Sequence, residues 1–181
     1  MSFAIAIDQQ FARLTLNIGT LPTVAAELTQ TVLACEPQAR LLAGLTLGEL
    51  VPFSSLHCRA GLYVVFQGQT PVYVGTCRSQ PYLVRIPAHL AAEAGDYMNS
   101  LAKVGKLKGQ HATLLDAAQA VARECRILFL TVGQERGASP ETRGQFVHVL
   151  MKLERALQTQ LQTNWNNLKK QAKTRVAPGN G

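Results

Sequence analysis

The stretch GLYVVFQGQTPVYVGTCRSQ, residues 61–80, constrains the fold of this chain more than any other. Two short runs of β-forming residues, GLYVVF and PVYVG, flank a turn at Gly68. The second run opens with Pro71, at a strand start where a missing N–H is tolerated. The pattern predicts a β-hairpin with one tyrosine on each strand, Tyr63 and Tyr73. Residues related in this way can occupy nearby cross-strand positions.

Three further elements follow the hairpin. The segment PYLVRIPAHLAAEAG predicts a helix, and its Pro87 favours a helix that begins there, with Arg85 ahead of it. The segment CRILFLTV predicts a buried strand. The segment ASPETRGQFVHVLMKLERALQTQL predicts a long helix, with Ser139 as N-cap, Pro140 at the first position and one apolar stripe. The predicted fold class is therefore α+β: a small three-stranded antiparallel sheet flanked by helices, with an N-terminal α/β extension.

The N-terminal part differs from the rest of the chain. The segment FAIAIDQQFARLTLNI predicts one or two strands, and LPTVAAELTQTVLACEPQARLLAGL predicts a helix. No residue set in this part is assignable to chemistry. We predict an extension over residues 1–57 that acts as a scaffold or dimer surface, a main domain over 58–170, and a basic, flexible tail over 171–181.

Charge is distributed unevenly along the chain. Residues 1–57 hold two basic and four acidic residues, a net of −2, and residues 58–181 hold sixteen basic and seven acidic residues, a net of +9. A basic part of this size favours a polyanionic partner such as nucleic acid, and a charged solubility surface is the alternative.

The sequence also predicts a compartment. No apolar run approaches the roughly 18 residues that span a bilayer, and the N-terminus lacks the basic start of a signal peptide. We therefore expect a soluble, cytoplasmic protein with no membrane partner. The four cysteines form no C-x-x-C pair, so neither a zinc site nor a disulfide framework is indicated.

Several polar residues fall at informative positions on these elements. Arg85 and His89 are spaced i, i+4, which places them on one face if the helix includes Arg85; a helix that begins at Pro87 would not. Glu154 lies about 60–70° from the centre of the apolar stripe, at about 100° per residue, so its carboxylate can point into a cleft between helix and sheet. Asn166 follows twelve residues later. Taken singly, each residue also has a structural explanation: a surface charge, a structural histidine, a solvated carboxylate or a helix cap.

Taken together, these residues resemble a known family. The motif GLY at 61–63, followed ten residues on by YVG at 73–75, resembles the paired motif of the GIY-YIG nucleases. The later residues follow in the family's order, ending in the segment LERALQTQLQTNWN, which is similar to the family's glutamate helix. The resemblance covers roughly residues 60–168. The catalytic residues that it implies are Tyr63, Tyr73, Arg85, His89, Glu154 and Asn166.

The resemblance implies phosphodiester hydrolysis with one Mg²⁺ or Mn²⁺ ion held by Glu154. Arg85 would grip the scissile phosphate and offset developing negative charge. Tyr63 would deprotonate or orient the attacking water, and Tyr73 would orient water or phosphate. Since tyrosine has a pKa of about 10, the base role needs nearby cations. We expect both tyrosine hydroxyls to lie near Arg85 and Glu154.

The resemblance also implies supporting roles. His89 would share the base role, and Asn166 would brace the metal site or the backbone around it. Four basic residues are the expected DNA-phosphate contacts, with plain solvated charges as the alternative. They are Arg78, Lys103, Lys106 and Lys108.

The predicted function is that of a divalent-metal-dependent endonuclease acting on DNA, of a stand-alone or restriction type. One site cuts one strand, so double-strand cleavage predicts a homodimer or two binding events. Two alternatives remain at this stage: a catalytically inactive nucleic-acid-binding module, and a nuclease directed at RNA.

Overall fold

One antiparallel sheet with helices on both faces forms the described part of the chain. The computed structural model describes residues 2–7, 10–17, 21–46, 61–78, 80, 82–91, 100–107, 111–133 and 140–166. The strands are β1 (Ser2–Ile7), β2 (Gln10–Asn17), β3 (Arg40–Leu41), β4 (Gly61–Gln67), β5 (Thr70–Cys77) and β6 (Cys125–Gly133). The helices are α1 (Leu21–Ala34), α2 (Tyr82–His89), α3 (Ser100–Leu107), α4 (Leu114–Glu124) and α5 (Pro140–Gln160). The predicted α+β class, an antiparallel sheet flanked by helices, is confirmed.

The sheet is larger than the sequence predicted. Its strand order is β2-β1-β6-β4-β5, and β3 also pairs with β6. The three expected strands β4, β5 and β6 are present, but the predicted count of three is wrong for the described sheet, which has six. The reason is β6, which pairs with β4 on one side and is long enough to pair with both β1 and β3 on the other. The division of the chain into three regions stays a prediction.

The predicted hairpin is present as β4 and β5. Gly68 occupies the first of two turn positions with φ of 59°, where a type II′ turn favours glycine. The pairing register shifts between Val65 and Phe66, next to Pro71 on the opposite strand. Among the described strands β5 pairs with β4 only, so it is an edge strand, and an edge tolerates a proline without an N–H.

Alternate residues of β4 enter two separate cores. Leu62, Val64 and Phe66 pack against α1 and α5 on one face of the sheet. Tyr63 and Val65 pack on the other face with residues of α2, α3 and α4. Both faces of the central strands are therefore covered, which explains why the run GLYVVF is apolar at nearly every position rather than alternating.

Helix α2 begins earlier than the sequence predicted. It starts at Tyr82, so Arg85 lies inside the helix and Pro87 is an internal residue, contrary to the expected start at the proline. The missing N–H of Pro87 costs the helix one backbone hydrogen bond. Burial of Tyr82, Ile86 and His89 at i, i+4 and i+7 offsets that loss.

The chain turns back over the sheet edge after α5. Gln162 adopts a left-handed φ of 51°, and residues 164–166 then form a short helical turn. Leu161 still packs in the core beneath α5, whereas Trp165 belongs to the core on the opposite face. We call residues 161–166 the C-terminal wrap, because they pass from one face of the sheet to the other.

Two further observations complete the comparison with the sequence. Helix α4 was not predicted, and it begins with a capping box between Thr113 and Asp116. The predicted N-cap Ser139 and the tail 171–181 lie outside the described residues. Within the described ranges, none of the helices combines the length and the apolar character that crossing a bilayer requires.

Candidate active site

The two motif tyrosines lie side by side on the sheet face that α2 covers. Tyr63 on β4 is directly opposite Gly75 on β5, and Tyr73 is opposite Val65, the next residue of β4 on that face. The two ring centroids are 6.2 Å apart. The predicted cross-strand proximity is thus confirmed. Both rings are also core residues, with 0% and 3% of Tyr63 and Tyr73 exposed.

The two motif glycines make room for aromatic side chains. A Cβ atom on Gly75 would lie 2.8 Å from Cε2 of Tyr63, and closer still to Cζ and the hydroxyl. A Cβ atom on Gly61 would overlap the hydroxyl of Tyr82 and lie 2.9 Å from the backbone oxygen of Leu130. The ring of Tyr63 therefore lies across Gly75, and the ring of Tyr82 reaches over Gly61.

Helix α2 places a cation and an imidazole beside the tyrosines. Arg85 and His89 are one helical turn apart, because the helix begins at Tyr82 and includes both, and both side chains interact with Tyr63. The Tyr63 hydroxyl is hydrogen-bonded to Nε2 of His89, and the Arg85 cation lies close enough to oppose the rise in its pKa that burial causes. The His89 ring centroid lies 5.6 Å from that of Tyr63 and 5.6 Å from that of Tyr73. Four of the six predicted catalytic residues therefore form one cluster.

The electrostatics of this cluster are those of a buried, hydrogen-bonded group. Burial raises the pKa of Tyr63 well above its usual value; Tyr73 and Cys77 act in the same direction, and Arg85 opposes them. Burial lowers the pKa of Arg85, but the neighbouring phenols outweigh this, so the pKa is raised overall. Tyr63 is therefore a neutral phenol at neutral pH, and Arg85 is a permanent cation.

Glu154 approaches from the other face of the sheet. Its helix, α5, packs on the core opposite the tyrosines, and its half-buried carboxylate accepts a hydrogen bond from Thr76 Oγ1 at 3.0 Å and one from Gln158 Nε2 at 3.4 Å. Cys77 follows Thr76 in β5, and, besides burial, the charges of Arg85 and Glu154 both shift its pKa. The carboxylate thus lies beside the C-terminal part of edge strand β5, at Thr76, whose cross-strand partner Leu62 belongs to the core on the face opposite the tyrosines. The expected proximity of the tyrosine hydroxyls to Glu154 stays a prediction.

Cys77 is a buried thiol that interacts with the charges of both Glu154 and Arg85. Burial raises its pKa to about 12; Arg85 opposes the shift and Glu154 adds to it. With 1% of its surface exposed, it remains a protonated thiol at neutral pH. We therefore expect it not to act as a nucleophile.

Asn166 braces the backbone of β5. The backbone N–H of Val74 donates to Asn166 Oδ1 at 2.9 Å, and Asn166 Nδ2 donates to the Val74 oxygen at 2.8 Å. The amide thus supplies both hydrogen bonds that a neighbouring strand would supply at this residue, and it protects an edge that is otherwise open to pairing. Of the two roles that the resemblance implied, the backbone contact is the one present here.

Two of the four predicted DNA contacts, Lys103 and Lys106, lie on helix α3, which packs on the sheet face of the tyrosine cluster. Lys103 is half-buried and Lys106 is exposed on α3, whose apolar residues join the core around Tyr63. Arg78 is exposed directly after β5. Lys108 lies outside the described residues.

Sequence reasoning missed three residues that orient the site. Tyr82 anchors α2, because its hydroxyl is hydrogen-bonded to the backbone oxygens of Leu62 and Leu130 at 2.9 and 3.1 Å. Thr76 and Gln158 hold the Glu154 carboxylate. The spacing of Gln158, four residues after Glu154, was a visible signal, whereas the contacts of Tyr82 and Thr76 depend on strand and helix packing.

The donor set limits the kind of metal ion that the site can hold. Among the described residues, no group of three or more His, Cys, Asp or Glu side chains could enclose a metal ion. A half-buried carboxylate held by neutral donors does fit Mg²⁺ or Mn²⁺, because such ions often bind through one or two carboxylates, waters and substrate phosphate oxygens. Glu154 is the residue that would hold the ion.

Comparisons with known protein families, with curated proteins and with solved structures found no match to this chain.

Proposed function

We propose that the protein is a cytoplasmic, divalent-metal-dependent endonuclease of the GIY-YIG type that hydrolyses DNA phosphodiester bonds. The observation that carries the proposal is the convergence of Tyr63, Tyr73, Arg85 and His89 on one face of β4 and β5, beside the strand end that Glu154 reaches. The strand order β5-β4-β6 also agrees with the small three-stranded unit that the resemblance implies.

Arg85 is the phosphate-binding group in this proposal. It carries a permanent charge and contacts Tyr63, so it lies beside the group that would orient the attacking water. Because Tyr63 is fully buried, the phosphate reaches it when the Arg85 side chain turns outward onto the phosphate oxygens. The guanidinium then offsets the negative charge that develops in the transition state.

The proton path runs through a hydrogen-bonded pair. The raised pKa of Tyr63 disfavours a resident phenolate, so this tyrosine acts as a relay rather than as a stored base. Its hydroxyl contacts His89 Nε2. As water attacks phosphorus, its proton passes to the phenol oxygen and the phenol proton passes to a neutral His89, which becomes the imidazolium. The P–O bond to the leaving sugar oxygen breaks in the same displacement, and that oxygen takes its proton from solvent. Tyr73, whose ring lies equally close to His89, orients the water or the phosphate.

Glu154 would hold the divalent ion, which supplies Lewis-acid stabilisation of the phosphate oxygens when it is bound. The net charge of +9 over residues 58–181 favours a polyanionic substrate, and exposed Arg78 and Lys106 are the proposed contacts to DNA phosphates flanking the scissile bond. Each chain would cut one strand, so a double-strand break requires a second copy or a second binding event.

A plasmid-nicking assay tests the proposal. Supercoiled plasmid incubated with the wild-type protein and Mg²⁺ or Mn²⁺ should become nicked, and Glu154→Ala should reduce the rate at least about 100-fold. The matched control is Glu27→Ala, an exposed carboxylate on α1, which should leave the rate unchanged. Labelled RNA and DNA of the same sequence, assayed in parallel, should show faster cleavage of DNA.

Two outcomes would overturn the proposal. Tight DNA binding without nicking by the wild type in either metal would show a binding module with an inactive site. Faster cleavage of RNA than of DNA would support phosphodiester hydrolysis but would show that RNA, not DNA, is the substrate.

A further inference from the structure

A chain of polar contacts runs along the outer edge of β5. Thr76 donates to one oxygen of Glu154, and Gln158 donates to the other. Gln158 Nε2 also donates to the Val74 oxygen at 3.3 Å, the same oxygen that accepts from Asn166. We call these five residues the edge network. It joins the C-terminal wrap to the only carboxylate that the proposed function uses.

The two donors fix the carboxylate in different ways. Thr76 is a buried residue on a paired strand, 7% exposed, so its hydroxyl is a rigid point of attachment. Gln158 has one amide nitrogen with two hydrogens, and its two contacts, to Val74 and to Glu154, can use both of them. The amide orientation is thereby set by the strand backbone. Each oxygen of Glu154 accepts one of these two bonds, and a carboxylate oxygen has lone pairs for more than one partner.

Glutamate has a flexible side chain, and a half-buried carboxylate can find hydrogen-bond donors in several rotamers. Neutral donors on both oxygens select one rotamer and preserve the negative charge. Outer-sphere hydrogen bonds of this kind orient metal-binding carboxylates, and their removal commonly costs 10- to 100-fold in metal affinity.

We propose that Thr76 and Gln158 are positioning residues that hold the Glu154 carboxylate in its cation-binding orientation. The inference deepens the proposed function and rests on it. Asn166 contributes through the shared Val74 oxygen, which keeps the strand edge and the Gln158 amide in register. A purely structural role for the two donors predicts a change in stability without a change in cation affinity.

Direct binding of Mn²⁺ in the absence of nucleic acid tests this inference. The loss of the electron paramagnetic resonance signal of free Mn²⁺ measures binding to the full chain, and Glu154→Ala sets the background. Thr76→Val keeps the strand-forming shape but removes the hydroxyl, and Gln158→Met keeps length and helix propensity but removes the amide. We expect each variant to bind Mn²⁺ about tenfold more weakly, and Thr76→Ser to return to within about twofold of the wild type.

A second measurement separates position from stability. The Mn²⁺ concentration at half-maximal plasmid nicking should rise about tenfold in Thr76→Val and Gln158→Met, while the rate at saturating Mn²⁺ falls less than threefold. Thermal unfolding monitors the fold of each variant, and Thr76→Ser serves as the functional rescue.

The outcomes distinguish the two proposals. If Glu154→Ala abolishes Mn²⁺ binding but Thr76→Val and Gln158→Met bind as the wild type does, the positioning role is wrong and the proposed function stands. If the wild type neither binds Mn²⁺ above the Glu154→Ala background nor nicks plasmid, both are overturned.

Discussion

Gly75→Ala should displace the side chain that the proposed mechanism requires to be fixed. The added Cβ atom would lie 2.8 Å from Cε2 of Tyr63, where carbon atoms prefer separations of about 3.5–4.0 Å. The ring must therefore move by about 1 Å. It has little room to do so, because Tyr63 is fully buried among Tyr73, Tyr82 and His89.

The magnitude follows from that displacement. Overpacking a core in this way typically costs about 1–3 kcal/mol of unfolding free energy, which for a chain of this size lowers Tm by about 2–12 °C. A 1 Å shift of a catalytic group can reduce the rate about 100-fold. Urea unfolding and plasmid nicking measure the two effects on the same preparation.

Two comparisons isolate the cause. Gly144→Ala is the matched control, because Gly144 lies in α5 and no atom beyond its chain neighbours and the adjoining helix backbone comes within 4 Å of the new Cβ. Since alanine is favoured over glycine within a helix, the variant's unfolding free energy should rise by about 0.5–1 kcal/mol. In a Tyr63→Leu background, Gly75→Ala should cost less than about 0.5 kcal/mol, because the ring that it meets is absent. A full stability cost in that background, or wild-type stability and nicking for the single variant, would refute the reasoning.

Two further predictions concern the strand edge and the buried thiol. Asn166→Ala should lower the unfolding free energy by about 1–3 kcal/mol, because it leaves the buried N–H of Val74 without its acceptor. In urea unfolding, the control Asn164→Ala, at an exposed position, should stay within about 0.5 kcal/mol of the wild type. Equal midpoints for the two variants would contradict the bracing role. Stability should fall as pH rises from 9 towards 12, because the unfolded Cys77 thiol loses its proton near its ordinary pKa of 9.0 while the folded thiol keeps its proton up to a pKa of about 12. The difference of three pKa units corresponds to at most about 4 kcal/mol of unfolding free energy. The unfolding free energy of Cys77→Ala should therefore decline less steeply above pH 9 than that of the wild type. Parallel curves for the variant and the wild type would rule out the Cys77 thiol as the cause.

Local patterns were sufficient for the individual elements. The β-forming runs around Gly68 predicted the hairpin, and the apolar stripe predicted α5, because both signals lie within a few neighbouring residues. The helical wheel also placed Glu154 at the border of the buried face, where it lies half-buried in the structure. The start of α2 was wrong, because burial of Tyr82 outweighs the local preference that Pro87 expresses.

Long-range pairing was beyond local patterns. The pairing of β1 with β6 joins residues more than 120 positions apart, and no single segment carries that information. Asn166 likewise contacts Val74 across 92 residues, so its part in sealing an edge strand depends on the turn at Gln162. The order of these residues along the chain was visible in the sequence, but their contact partners were not.

The sequence by itself determined which chemical groups the site contains: two tyrosines, an arginine, a histidine and a carboxylate, in an order that resembles one nuclease family. The tertiary structure decided their state. Covering both faces of β4 buries Tyr63, and burial raises its pKa, so the phenol is protonated at neutral pH and the proposed mechanism uses it as a relay to His89 rather than as a resident base. Exposure and neighbouring charge set a pKa, and both arise only when distant segments pack together.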